Sequence, residues 1–251
     1  MNRLNVVIND DFRNADKYIE DGSIDLVVTS PPYNIDLGNN KYNKSPYDLY
    51  IDNKDHRKYL LFLHQIFVKV YDKLKPGGRV VINIGDGKNG AVPTHSDVIK
   101  IMVGIGFIPH STIIWDKHTT SNRAAFGSFV SPSSPSFPCP FEYILIFAKE
   151  FRRLKYKGMT DLTKDEFVEW AYGIWSFAPE KNKKDKHPSP FPRELPHRAI
   201  KMLSWVGATV LDPMCGSGTT LAEAKILKRN YIGFDISEQY CETSRDELLK
   251  A

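Results

Sequence analysis

The sequence is poor in cysteine and has no long apolar run and no internal repeat, and each absence narrows the class of protein. Its three cysteines, Cys139, Cys215 and Cys241, are odd in number, far apart and without zinc-type spacing. This usage is typical of reduced thiols rather than of a disulfide framework or a zinc site. No charge-free stretch is long enough to span a bilayer, and the N-terminus lacks the apolar segment of a signal peptide. We therefore expect a cytoplasmic protein without a membrane segment or a bound metal.

The composition is that of an ordinary folded domain with a mild excess of positive charge. The 251 residues are 41% hydrophobic and 25% charged, and the formal net charge is +4. A chain of this length forms one large domain, or one domain with a small insertion. The excess of positive charge is compatible with a polyanionic partner but does not require one.

Short β-branched runs alternate with amphipathic helices along most of the chain. The patterns predict strands at 6–8, 24–28, 79–84, 107–115, 141–148, 208–211 and 231–234. They predict helices at 56–74, 97–104, 195–205, 219–227 and 238–250. This alternation is typical of an α/β protein built around a mostly parallel sheet.

Three long segments interrupt the alternation, at residues 36–55, 118–140 and 150–190. The last contains a short helix that Thr163 and Glu166 cap in the pattern of a capping box. Long irregular loops in a compact domain are usually functional or disordered. We therefore expect these segments to contact a large substrate.

The segment 212–220, D-P-M-C-G-S-G-T-T, follows a buried strand and leads into a helix. Gly216 and Gly218 allow positive φ or a close approach to a ligand, and the helix N-terminus near Thr219 favours an anionic group. Asp212 suits a cationic or hydroxyl group, and Asp235, 23 residues later, is placed to accept ribose hydroxyls. The lysine of a P-loop and the dinucleotide fingerprint are both missing. The pattern favours a nucleoside ligand with a carboxylate, such as S-adenosyl-L-methionine, over a purely structural turn.

The segment 29–34, T-S-P-P-Y-N, follows the second predicted strand. Pro31 and Pro32 fix their φ angles and donate no backbone hydrogen bond, so the strand ends in a stiff loop at Ser30. The Ser30 hydroxyl and the Pro31 carbonyl offer two acceptors, which match the two hydrogens of an exocyclic amine. Tyr33 offers an aromatic face on which an extruded base can stack. The alternative is a proline turn with a surface tyrosine.

Together these motifs resemble the β group of amino-specific DNA methyltransferases, which methylate N4 of cytosine or N6 of adenine and have the catalytic motif ahead of the cofactor motif. Residues 29–34 match the family pattern [DNS]-P-P-[YFW], and 212–220 resemble D-P-F-x-G-S-G-T-T. Residues 233–236 and 187–196 resemble the ribose-binding strand end and the segment lining the adenosyl pocket. The resemblance implies a Rossmann-like fold with a mostly parallel, seven-stranded twisted sheet and helices on both faces.

The resemblance also implies the site and the cofactor, S-adenosyl-L-methionine. The implied catalytic residues are Ser30, Pro31, Pro32 and Tyr33. The implied cofactor-binding residues are Asp10, Ser30, Phe191, Asp212, Met214, Gly216, Ser217, Gly218, Thr219 and Asp235.

We expect one methyltransferase domain over 1–251, with a catalytic half at 1–149 and a cofactor half at 187–251. Residues 150–186 are expected to be a small target-recognition insertion. Its basic residues Arg152, Arg153, Lys155 and Lys157 form a patch that could neutralise DNA phosphates or be a solvated surface.

The residue at position 30 also bears on which base is methylated. A serine at position 30 resembles the cytosine-N4 members, because adenine-N6 members more often carry Asp or Asn there. We therefore expect N4-methylation of cytosine in double-stranded DNA, with N6-adenine as the alternative. More distant alternatives are a methyltransferase of RNA or protein, and a non-catalytic nucleic-acid-binding module. A cognate restriction endonuclease and a homodimer are further expected partners.

Overall fold

The computed structural model describes residues 4–34, 49–51, 54–88, 90–118, 127–179 and 192–251. Its strands are β1 (Val6–Asn9), β2 (Ile24–Thr29), β3 (Leu74–Ile84), β4 (Phe107–Asp116), β5 (Phe141–Lys149), β6 (Ile174–Ser176), β7 (Thr209–Asp212) and β8 (Asn230–Asp235). Its helices are α1 (His56–Lys73), α2 (Thr94–Ile105), α3 (Lys164–Trp170), α4 (Glu194–Leu203), α5 (Thr219–Ile226) and α6 (Glu238–Lys250). A short 3-10 helix at Phe12–Lys17 follows β1.

The strands form one sheet in the order β1-β8-β7-β2-β3-β5-β4-β6. Strand β5 runs antiparallel to β3 and β4, and the described strands otherwise share one direction. This confirms the Rossmann-like, mostly parallel sheet, although it has eight strands rather than seven. The added strand, β6, pairs with the edge of β4 from Ile114 to Asp116. Three residues are too few to show the alternation that reveals a strand in sequence.

Helices cover both faces of the sheet, as predicted. The 3-10 helix, α1 and α2 pack on the face that presents Val27, Val80 and Ile82. Helices α3 and α4 and residue Ala224 of α5 pack on the other face, which presents Leu26, Val28, Val81, Ile144 and Ile146. Successive strand residues point to opposite faces. The central strand β2 is therefore buried along its whole length.

Local capping explains where several helices begin. The Asp55 side chain accepts the backbone N–H groups of Arg57 and Lys58 at the start of α1. The predicted capping box of Thr163 and Glu166 is present at the start of α3. None of the helices within the described ranges is long and apolar enough to cross a membrane.

The described part of the predicted insertion, 150–179, is packed into the domain. It contributes α3 and β6, and Arg229 holds its Asp161 in a two-point ion pair at 2.5 and 2.9 Å. Glu166 and Glu169 of α3 form ion pairs with Lys201 and Arg198 of α4. This segment therefore extends the sheet and covers one face, and its role in target recognition stays a prediction.

Candidate cofactor and catalytic site

Four adjacent parallel strands, β1, β8, β7 and β2, end at the same edge of the sheet. The chain leaves them at Asp10, Ile236, Pro213 and Ser30. Ligands of open α/β sheets bind outside the carboxyl ends of the strands. This edge, which we call the carboxyl edge, therefore brings both sequence motifs together although they lie far apart in the chain.

A cavity of about 440 Å³ opens at the carboxyl edge. This volume lies in the range of small-molecule sites. Its walls include apolar side chains from α1 and the loops, three acidic groups and three basic ones. The lining residues are Asp10, Asp11, Phe12, Arg13, Ser30, Pro32, Leu49, Tyr50, Ile51, Lys54, Lys58, Leu61, Phe62, Gln65, Ile66, Pro213, Met214, Asp235, Ile236, Ser237 and Tyr240.

The structure brings four of the predicted cofactor residues to this cavity: Asp10, Ser30, Met214 and Asp235. Asp212, by contrast, is 1% exposed and does not line it. The described turn residues Gly216, Ser217, Gly218 and Thr219 are also absent from its lining. Phe191 lies outside the described residues. The cavity draws on both predicted halves of the chain, because β1 pairs with β8.

Two of the acidic residues on the cavity wall are held by dense hydrogen bonding. Asp235 accepts the backbone N–H groups of Gly216 and Ser237, each at 2.9 Å. Asp10 accepts the side-chain amide of Asn14 at 2.8 Å and the hydroxyl of Tyr18 at 2.9 Å. The bond from Asn14 contributes most to lowering the pKa of Asp10. Asp10 is therefore ionised at neutral pH, and it suits a ligand with hydroxyl, amine or cationic groups.

Asp212 is buried under the turn that follows β7. Burial raises its pKa to about 6, and its carboxylate accepts the backbone N–H of Met214 at 3.2 Å. This hydrogen bond from the Met214 N–H to a buried carboxylate fixes the backbone at the start of the turn. Asp212 therefore positions Pro213 and Met214 against the cavity, and its direct contact with the cofactor stays a prediction.

The glycine turn is explained by packing within the protein. Gly216 and Gly218 have φ angles of +50° and +82°. A Cβ on Gly218 would lie 2.1 Å from the Ser244 hydroxyl and 2.8 Å from its Cβ, so α6 leaves no room for a side chain. Gly216 uses its N–H to orient Asp235. The predicted positive φ is confirmed, while the close approach at Gly218 is to α6.

The loop at residues 29–34, which we call the reactive loop, is hydrogen-bonded to a buried polar network. Ser30 donates its hydroxyl hydrogen to Tyr33 at 3.1 Å, and Tyr33 donates to the Glu142 carboxylate at 2.8 Å. The side-chain amide of Asn83 donates to both Tyr33 and Glu142, each at 2.7 Å. Lys117 forms an ion pair with the second Glu142 oxygen. Glu142 is only 8% exposed, so its charge depends on these partners.

Asn34, which follows the proline–tyrosine motif, links the reactive loop to the cavity wall that contains Tyr50 and Lys54. Its amide donates to the Lys54 carbonyl at 2.8 Å and accepts the Lys54 N–H at 2.7 Å. Its φ of +57° is in the left-handed region, which asparagine tolerates better than most residues. Tyr50 and Lys54 both line the cavity, so Asn34 couples the reactive loop to that wall.

Sequence reasoning missed Asn34, Asn83, Lys117 and Glu142 as site residues. A signal was present for Glu142, since it is a charged residue in an otherwise apolar strand. Such residues are buried only when they are paired. The pairing itself depends on β3 and β5 lying side by side, which the local pattern does not encode.

The predicted basic patch lies at the opposite edge of the sheet. The Tyr156 hydroxyl donates to Asp25 at 2.6 Å, near the start of β2, and Arg79 donates to the Arg152 carbonyl at 3.1 Å. Asp25 also accepts the backbone N–H of Thr209, where β7 begins. Along β2, this position is about 16 Å from Ser30. Arg152, Arg153, Lys155 and Lys157 are therefore not part of the surface around the reactive loop.

Sequence and structure comparisons identify relatives of known type. A family model described as DNA methylase, for the N6 and N4 methyltransferases, matches residues 24–246. The Type II methyltransferase M.MjaVI of Methanocaldococcus jannaschii is 40% identical over 187 residues, which cover 72% of this chain and 91% of that protein. M.MjaI of the same organism is 36% identical over 265 residues, which cover 92% of this chain and 87% of that protein. Among solved structures, that of TTHA0409 of Thermus thermophilus in complex with S-adenosyl-L-methionine is similar, with 28% identity and a TM-score of 0.72. The match covers 98% of this chain and 94% of that chain.

Proposed function

Because this chain belongs to the family of N6/N4 DNA methylases, and is therefore an S-adenosyl-L-methionine-dependent DNA methyltransferase, we propose that it methylates N4 of cytosine in double-stranded DNA. The family sets the reaction class: methyl transfer to an exocyclic amine. The proposal adds the base and the residues that act on it. The observation that carries it is the neutral Ser30 hydroxyl at the rim of the cavity, hydrogen-bonded to Tyr33.

The cavity suits the cofactor by its donor set. Asp235 and Asp10 would hold its hydroxyl and amino groups, and Met214 and Ile236 would pack on its apolar surface. When bound, the cofactor supplies an electrophilic methyl group on a sulfonium. Ser30 borders the same space, so an amine held by Ser30 faces the cofactor directly. Much of the rate then comes from positioning.

Ser30 is prepared to act as an acceptor. Its own hydrogen points to Tyr33, which leaves the oxygen lone pairs for an N–H of the target amine. The Pro31 carbonyl is the second acceptor, and together they orient the nitrogen lone pair. The methylated nitrogen then releases a proton to Ser30, while Ser30 passes its own to Tyr33 and Tyr33 passes one to Glu142.

The choice of base depends on what contacts the amine directly. Ser30 presents a neutral hydroxyl, as in the cytosine-N4 members that this sequence resembles. An adenine-type site would gain from a carboxylate at that position. Glu142 favours the N6-adenine alternative, because its carboxylate is linked to Ser30 through two hydrogen bonds.

Nucleoside mass spectrometry tests the proposal directly. Mixed-sequence duplex DNA is incubated with S-adenosyl-L-methionine and either the natural protein or Ser30→Ala. Ser23→Ala is the matched control, because Ser23 precedes the same strand at its other end. We expect N4-methylcytosine from the natural protein and the control, and a loss of about 100-fold or more in Ser30→Ala.

The other outcomes are equally informative. N6-methyladenine as the only product would keep the reaction class and overturn the base assignment. N4-methylcytosine at an undiminished rate in Ser30→Ala would remove Ser30 from the mechanism. No methylated base under any condition would overturn the proposed function.

Two partners beyond DNA are also proposed. M.MjaVI and M.MjaI are named Type II methyltransferases, which favours a cognate restriction endonuclease for this chain as well. The homodimer expected from the resemblance is kept as a proposal. Sedimentation of the purified protein with and without duplex DNA would test it.

A further inference from the structure

The segment 127–139 lies at the carboxyl edge of the sheet. It lies between β4, which ends at the carboxyl edge, and β5, which begins there. Lys117, just after β4, donates its backbone N–H to the Pro140 carbonyl at 3.0 Å. The same Lys117 pairs with Glu142, which holds Tyr33. The base of this segment is therefore tied to the network that positions Ser30.

Serine side chains brace the tip of the segment. The Ser128 N–H donates to the Ser134 carbonyl at 2.8 Å, and the Ser134 N–H donates to the Ser128 hydroxyl at 2.9 Å. Ser128 also donates its hydroxyl to the Ser131 carbonyl at 2.7 Å. Gly127 and Pro135 form an antiparallel bridge below these bonds. These bonds make the tip a closed turn of defined shape.

Three large apolar side chains of the segment have most of their surface exposed. Phe129, Val130 and Phe137 are 76%, 88% and 75% exposed. Val130 has a φ of +54°, a left-handed conformation that is strained for a β-branched residue. Exposed apolar surface and backbone strain both cost stability, and where they coincide they mark functional surfaces.

We propose that Phe129, Val130 and Phe137 form an apolar wedge that enters the base stack of the substrate DNA next to the target base. An enzyme that acts on a base must extrude it from the duplex, and apolar side chains inserted between base steps hold such a distortion open. The position favours duplex DNA as the occupant, because the chain leaves β4 and returns to β5 at the carboxyl edge, where the Ser30 loop and the cavity also lie. The inference rests on the proposed function only in requiring that a base be methylated in duplex DNA.

The test compares one target base in two duplexes. Sequencing of plasmid DNA methylated by the natural protein first locates the target. Two short duplexes then carry it, one fully paired and one with an abasic site opposite the target, where extrusion costs little. Single-turnover methylation is measured for Phe129→Ala/Phe137→Ala, for Val130→Asn and for Phe167→Ala, an exposed aromatic of α3 that serves as the control.

We expect the double variant to methylate the paired duplex about tenfold more slowly, and the abasic duplex within about twofold of the natural rate. Val130→Asn relieves the strained conformation, since asparagine tolerates positive φ. We expect Val130→Asn also to slow methylation of the paired duplex, and because this substitution relieves backbone strain, the loss of rate would report the lost apolar side chain rather than a destabilised tip. Phe167→Ala should match the natural protein on both duplexes.

Three results would overturn the wedge. An unchanged rate on the paired duplex shows that the tip does not act on the stack, and an equal loss on both duplexes shows a general contact. Conversion of a dimer to a monomer with an unchanged ratio between the duplexes would assign the tip to a second copy of this chain. In each of these three results the natural protein still methylates DNA. The absence of any methylation by the natural protein would instead overturn the proposed function, so the two failures are distinguishable.

Discussion

The cofactor region and the target-facing region share one edge of the sheet but are built in different ways. At the ends of β7 and β8, backbone groups hold the acidic side chains: Asp235 accepts two N–H groups and Asp212 accepts a third, whereas Asp10 at the end of β1 is held by side chains. Around the reactive loop, the polar groups are held by hydrogen bonds between the side chains of Tyr33, Asn83 and Glu142. A site whose groups are held by backbone N–H groups can be predicted from the motif at the end of a strand. A network of side chains, by contrast, depends on which strands are neighbours in the sheet.

The largest expected effect concerns the backbone-defined region, in Gly218→Ala. A Cβ there meets the Ser244 hydroxyl at 2.1 Å and its Cα at 3.0 Å, and Gly218 also has positive φ. We expect a loss of roughly 3 kcal/mol in the free energy of unfolding, from overpacking and backbone strain together. Urea denaturation measures it, and cofactor affinity should fall in parallel because the turn carries Met214.

Gly207→Ala is the matched control for this variant. Gly207 has nearly the same φ, +81°, but no atom lies within 4 Å of its added Cβ. Only the backbone strain remains, at about 1 kcal/mol. Equal destabilisation by the two substitutions would show that contact with α6 does not determine the glycine at position 218.

The second-largest expected effect concerns the side-chain network around Tyr33, in Glu142→Gln. The amide keeps the size of the side chain but removes the charge that receives the proton and pairs with Lys117. We expect kcat to fall about tenfold, which corresponds to about 1.4 kcal/mol, while cofactor affinity is unchanged. Tyr33→Phe should show a loss that is not additive with it, because both substitutions interrupt the same chain.

Two further variants separate this role from simple packing. Glu142→Asp keeps the charge and should recover part of the rate, as a proton acceptor would. Glu169→Gln removes a surface carboxylate from an ion pair with Arg198 and should have no effect. An equal fall in cofactor affinity and kcat in Glu142→Gln would contradict the division between the two regions.

The sequence predicted the parts of this molecule that local patterns encode. The alternation of strands and helices, the Ser30 loop and the acidic end of β8 were all visible, because strand periodicity and turn residues act over a few neighbours. Glu142 meets Tyr33 across 109 positions of the chain, so only the order of the strands reveals the contact. The short β6 was missed because its pairing with β4, not its composition, makes it a strand.

The smallest expected effect concerns the basic patch, which lies at the opposite edge of the sheet from the Ser30 loop. Arg152 and Arg153 were predicted to bind DNA, but Tyr156 anchors their segment to Asp25 at the far edge of the sheet. We expect Arg152→Glu/Arg153→Glu to lower DNA affinity by only about threefold, through the change in formal net charge from +4 to 0 and not through a lost contact. The slope of affinity against salt concentration should also stay constant, since each lost phosphate contact lowers it by about 0.9.

Fluorescence anisotropy with duplex DNA over a range of salt concentrations measures both quantities. The slope is the sharper of the two, because a long-range change in net charge alters affinity without removing a counterion-releasing contact. A slope reduced by about two, with affinity lowered tenfold or more, would mean that DNA reaches the amino ends of the strands. The bound duplex would then have to pass along the β2–β3 side of the sheet, from the Ser30 loop down to Arg79, and the wedge at 127–139 would contact only one end of it.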